Sequence, residues 1–279
     1  MRKQQGALVL IGIFLLIALY FFGNTVASKK SSPLPATDNV PATLTSQDVI
    51  AKYKTGLNTR QLQTLAQLEN SVVRGDVHNQ QIRVYHQLAS YWTDTLHQEE
   101  IGAYYEGEAA KLENSEKNLT FAAHLLLGNM MAAKDAAMQK WLATRAKELF
   151  DKALVINPNN DSSKIGVGVC YMFGGIADNP MQGILAIKEI ADKDPNNVYA
   201  EMMLGLGGIQ SGQYDKAAER FLAVIQKQPG NIEAILNLAA VYERMGNKAE
   251  AVKWYKDALN FIQAPQAKTD IEERIKSLQ

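Results

Sequence analysis

The sequence predicts an all-α chain: about five helix pairs stacked as a solenoid over residues 44–279, behind a single N-terminal membrane-spanning helix. Three observations carry that reading. Between residues 198 and 263 the sequence repeats itself at a fixed step of 34 without an insertion. Glycines and a proline stand in this stretch where helices must stop. Residues 7–22, ALVLIGIFLLIALYFF, form an uncharged and almost wholly apolar run.

With its flanks the apolar run reaches about 20 residues, enough to cross the roughly 30 Å of a bilayer core. A cleaved leader has a shorter apolar region of about 7–15 residues, and Thr25-Val26-Ala27 is an imperfect cleavage triplet. Residues 1–27 are therefore expected to form a cytoplasmic tip and a retained anchor, held in the membrane through residues 7–23. Arg2 and Lys3 precede the span and Lys29 and Lys30 follow it. The N-terminal amine adds one charge to the inner side, which sends the soluble part outward, to the periplasm in a Gram-negative cell. Residues 28–43, SKKSSPLPATDNVPAT, carry Pro33, Pro35 and Pro41 without hydrophobic periodicity and read as a linker. At about 3.1 Å per residue, such a stiff linker reaches roughly 50 Å.

The repeats fill residues 44–279. Thr45-Ser46-Gln47-Asp48 predicts a helix start, and Gly56 its end. Leu62, Leu65, Leu68 and Val72 mark one face of a second helix. A pair follows with Tyr85, Leu88-Ala89 and Trp92 in its first helix and Ala103, Gly107 and Ala110 in its second. Another begins near Phe121, with Leu127-Gly128, then Ala146, Phe150, Ala153 and Pro158; its turn, AAKDAAMQKW, reads about six residues too long. The copy from Asp161 has Val167-Gly168 and Tyr171, a long loop GGIADNPM, and closes at Pro195. In the regular stretch, adding 34 maps Leu204-Gly205 onto Leu238-Ala239, Gly212 onto Gly246, Ala217 onto Ala251 and Phe221 onto Tyr255. Small residues let helix backbones approach, and the large ones fill the space between them. Lys268–Gln279 predicts a final helix that caps the apolar edge of the last pair.

These residues resemble the tetratricopeptide repeat (TPR), whose pattern is carried most fully by Leu204-Gly205, Gly212, Ala217, Phe221 and Pro229. The resemblance implies a right-handed solenoid in which the first helix of each pair lines a concave groove. It also implies that the second, fifth, ninth and twelfth positions of that helix point inward. Those positions hold Ser162, Ile165, Val169 and Met172; Tyr199, Met202, Leu206 and Ile209; and, in the last copy, Glu233, Leu236, Ala240 and Glu243. The groove is thus expected to be apolar and rich in methionine, a pliable contact residue. Its candidate lining is Ile165, Val169, Met172, Tyr199, Met202, Leu206, Ile209 and Leu236. Only Asn129 and Asn237 suit a clamp for a charged peptide end. Such a stripe either receives a partner or is covered by the 44–73 helices or the C-terminal helix.

Composition narrows the function. Lys plus Arg and Asp plus Glu are 29 each, so there is no basic excess for nucleic acid. None of His78, His86, His97 and His124 lies in a metal-binding motif, and Cys170 sits inside an apolar helix without a basic partner at helical spacing. No catalytic constellation, cofactor motif or metal site is expected. The expected function is a non-enzymatic, membrane-tethered scaffold holding an apolar helix or peptide of another protein, in envelope assembly or secretion. The alternative is a structural protein that pairs with its own copies through the same groove.

Overall fold

The computed structural model describes residues 44–74 and 78–279, and the reading of residues 1–43 as anchor and linker lies outside them. Among the described residues there are thirteen α-helices and no strand. The first two are α1 (Ser46–Lys54) and α2 (Thr59–Arg74). Five antiparallel pairs follow: α3 (His78–Ser90) with α4 (Glu99–Glu113), α5 (Glu116–Ala132) with α6 (Ala136–Ile156), and α7 (Asp161–Phe173) with α8 (Met181–Lys193). The last two pairs are α9 (Val198–Gln210) with α10 (Tyr214–Lys227), and α11 (Ile232–Arg244) with α12 (Lys248–Ala258), before the closing helix α13 (Pro265–Leu278). Among the described residues no helix is long and apolar enough to cross a membrane.

Local chemistry sets the ends of these helices. Thr45 and Asp48 form a reciprocal capping box at the start of α1. Asn160, Asn197 and Asn231 each accept a hydrogen bond from the backbone N–H three residues on, at 2.9, 3.0 and 3.0 Å, and so start α7, α9 and α11. Each of these asparagines follows a proline by two residues (Pro158, Pro195, Pro229), so one short segment ends a pair and begins the next. Gly212 and Gly246 take φ of +73° and +76°, the left-handed turn between the helices of the last two pairs.

Packing follows a small-against-large rule. A side-chain carbon on Gly205 would come within 2.6 Å of the Phe221 ring, so the absence of one lets α9 rest on α10. Gly168 sits in the same way on Ile187 of α8, and Gly166 on Phe150 of the preceding α6. With Trp92, these large side chains are almost wholly removed from water. One contiguous core runs from α1 to α9, and smaller clusters continue it to α13.

Two sequence expectations shift. The α5–α6 copy begins at Glu116, capped by Ser115, rather than near Phe121. Ala123, fully buried eight residues after the cap, takes the place that Gly205 holds after Asn197; Gly128 faces open space. The surplus residues of AAKDAAMQKW are helix, since only Ala133–Asp135 lie outside α5 and α6. They add turns that the neighbours use: Met138 and Trp141 are buried, and the indole of Trp141 donates to Ser46 Oγ of α1 at 3.4 Å. Ala89 and Ala103 stand 14 residues apart where Gly205 and Ala217 stand 12 apart, and the two extra residues are absorbed as a π-helical turn, Tyr91–Thr95, closed by His97 at φ +54°. The long loop before α8 spans residues 174–180 as expected.

Candidate functional site

The first helices of successive pairs lie side by side, α5 on α7, α7 on α9 and α9 on α11. Among the described residues, neither the first two helices nor the closing helix covers this row. Helix α1 meets the second helix α6, whose Trp141 indole donates to Ser46, and meets α2 through an ion pair of Lys54 with Glu69 at 2.7 Å. Helix α13 closes the far end, with Ile275 and Leu278 buried beside Ala251 and Tyr255 and with Arg274 paired to Glu243.

Burial divides the eight residues expected to line an apolar groove. Ile165 and Val169 are fully buried, and Met172 and Met202 keep only 4% and 5% of their surface, so the expectation of an exposed methionine stripe is corrected. The reason is close approach on both flanks. Gly166 and Gly168 draw α6 and α8 onto α7, and the methyl of Met172 fills the space beside Gly207 of α9. Met202 packs with Phe221, Ala234 and Leu238. Tyr199, Leu206, Ile209 and Leu236 are half-buried: Leu206 and Ile209 lean on the α10–α11 cluster, and Leu236 on the two buried clusters of α11 to α13 that contain Tyr255 and Ile262. Asn129 and Asn237 donate to carbonyls one turn back in their own helices, of Leu125 and Glu233, each at 2.9 Å.

Of the eight, Ile165 and Tyr199 meet in one cleft of about 390 Å³, with His124 of α5, Ser162 of α7 and Asn197 before α9. His124 Nε2 and Ser162 Oγ are hydrogen-bonded at 2.8 Å, and the imidazole meets the rings of Phe150 and Tyr199 edge-on at 5.0 and 5.6 Å. Burial holds His124 below the ordinary histidine range, so it is an uncharged ring at neutral pH. The cleft is therefore neutral, aromatic and polar.

A second opening lies nearer the N-terminus. Between α3 and α5 a cleft of about 270 Å³ has α4 beneath it, with Glu99, Gly102, Ala103 and Glu106 along that side. Phe121, 59% exposed, and Leu125 stand at its α5 wall. Ser90 and Asp94 join it to a neighbouring cleft of about 510 Å³ that includes Leu68 of α2, His86 and Tyr91. Gly102 makes this geometry possible, because any side chain there would strike the Thr93 hydroxyl of the π turn. Sequence reasoning missed these residues; the irregular spacing after Trp92 was the available signal.

The single thiol, Cys170, is buried, and that burial pushes it up to about 12. Among the described residues no group of three or more His, Cys, Asp or Glu is placed to hold a metal.

Comparison with known proteins agrees with the architecture. Residues 208–269 match the tetratricopeptide repeat profile. Over 142 residues, 49% of this chain, the sequence is 28% identical to cellulose synthase operon protein C of Pseudomonas fluorescens (strain SBW25); that match spans only about a tenth of the relative's length, 10%. A thermophilic TPR protein of Thermus thermophilus superposes with a TM-score of 0.51 at 19% identity, covering 71% of this chain and 98% of that one. YrrB, described as a TPR protein with an unusual peptide-binding site, gives a TM-score of 0.42 at 17% identity, over 68% of this chain and 91% of its own. The described chain is a TPR-like α-solenoid, with the repeat signature clearest in its last pairs.

Proposed function

We propose that this protein is a membrane-tethered scaffold that holds a segment of another protein along the row of first helices, without chemistry of its own. The observation that carries the reading is the pair of clefts flanking α5, with Phe121 and Leu125 standing beside one of them. A ring left 59% exposed beside a cleft offers apolar area that a partner removes from water. The fold supports this, since stacked helix pairs present a surface larger than any one pair carries. The apolar run at residues 7–22 supports the tether, and export with a role in envelope assembly or secretion is the cellular form of the proposal.

The test is a photo-crosslinking residue placed at Phe121 and, separately, at Leu185, which is 60% exposed on the second helix α8. An adduct with a different protein from position 121 alone is the expected result. An adduct with a second copy of the chain would favour self-assembly instead, and equal labelling from both positions would remove the first-helix row as the binding face. Retention of the full chain in the membrane pellet after carbonate washing tests the tether; a soluble product beginning near Ser28 would refute it.

A further inference from the structure

Resting on the scaffold reading, we infer that the α3–α4–α5 cleft takes a partner segment in which a lysine or arginine stands next to apolar side chains. Three carboxylates, Asp94, Glu99 and Glu106, line the cleft, and no lysine or arginine does. Glu106 is engaged by His86 Nδ1 at 2.9 Å, whereas among the described residues Asp94 and Glu99 have no cationic partner. Both are exposed, so neither is bound to the interior. On the opposite wall, Phe121 and Leu125 supply the apolar half of the contact. The chain carries equal numbers of acidic and basic residues, 29 of each, so this one-sided lining is local.

The two walls match the two ends of a long cationic side chain. Its methylene stem lies against apolar surface while its head reaches a carboxylate. An apolar neighbour in the segment covers the Phe121 ring, which also offers its face to a cation. An acidic segment would meet like charge at Asp94 and Glu99, so the cleft selects by repulsion as well as attraction. The neutral α5–α7–α9 cleft, with its uncharged His124, has no such preference.

The experiment measures binding of three short labelled peptides to the full chain by fluorescence anisotropy: one alternates Lys and Leu, one Glu and Leu, one Lys and Ser. The Lys/Leu peptide is expected to bind most tightly, and to weaken as salt is raised. The double change Asp94→Lys, Glu99→Lys and the single change Phe121→Ser should each weaken it by roughly tenfold or more. One control, Glu189→Lys with Asp192→Lys on α8, should leave it unaltered, and Ser162→Arg, which fills the other cleft, tells the two clefts apart. Circular dichroism confirms helicity, and if the double variant unfolds, the exposed Phe121→Ser decides. Equal binding of the Glu/Leu peptide, or loss of binding on the α8 change, overturns the inference. Loss on Ser162→Arg alone overturns it while leaving the scaffold reading in place. No binding of any peptide also overturns it, and crosslinking from position 121 then judges the scaffold reading separately.

Discussion

The last two pairs, α9 to α12, repeat at one step, while the pairs from α3 to α8 vary in helix length and turn. Both regions nevertheless rest on the same contact. In the regular region Gly205 of α9 receives Phe221 of its own partner helix. In the irregular region α7 receives two neighbours at once, Phe150 from the helix before and Ile187 from the helix after. A solenoid tolerates this because each pair answers only to its neighbours, so added turns disturb packing locally. The irregular region has gained surfaces by it. Its longer α6 seats α1, and its π turn opens the acidic cleft, whereas none of the clefts described above is lined by α10, α11 or α12.

The largest expected effect tests whether the two contacts are equally tight. Phe150→Ala and Phe221→Ala each empty a fully buried site, and each should cost about 3–5 kcal/mol in chemical denaturation. A much smaller loss at Phe150 would mean that the irregular region closes over the cavity. Gly205→Leu probes the same contact from the other side. With Phe221 only 2.6 Å from the added carbon, overpacking should cost about 1–3 kcal/mol. The same change at Gly128, which faces open space, should not lower the midpoint.

Caps should distinguish the regions less. Asn160→Ala in the irregular region and Asn231→Ala in the regular one each remove a single backbone contact, at about 1 kcal/mol. Asn160 also donates to Glu116 and Thr120 of α5, where Asn231 donates only to the exposed Gln228 beside it, so the cost at Asn160 should be the greater. A reversed order would show that those side-chain contacts contribute nothing.

The smallest effect is one of pH and belongs to the irregular region alone. His86 binds Glu106 and Glu113 through its two ring nitrogens, at 2.9 and 3.1 Å. Burial alone would lower its pKa, but the hydrogen bonds it donates to Glu113 and Glu106, with their negative charge, outweigh that and raise it above the ordinary histidine value. The imidazolium therefore stabilises the α3–α4 contact at pH below the ordinary value. That contribution is lost as pH rises through the raised one. A thermal midpoint that drifts down across this window, and is flat there in His86→Gln, is expected. The partial exposure of the site keeps the drift small. An identical drift in the variant would assign it to other groups.

The sequence by itself determined the kind of fold and much of its punctuation. The step of 34, the left-handed glycines 212 and 246, the capping box at Thr45 and the closing helix are local or repeated features, so they are readable without knowing what lies across the core. Tertiary structure decided which face of each helix is free. Ile165 and Val169 occupy positions that the repeat pattern turns toward a groove, yet neighbours brought close by glycines bury them completely. Leu127-Gly128 reads as a packing pair, yet Ala123 takes the buried place, because α5 starts a turn earlier than its apolar pattern announces. Phe121 reads as the start of a helix and stands instead beside a cleft, since its exposure depends on how far α3 stands from α5. A side chain's direction along a helix follows from sequence spacing, but what it meets there is set by chain tens of residues away.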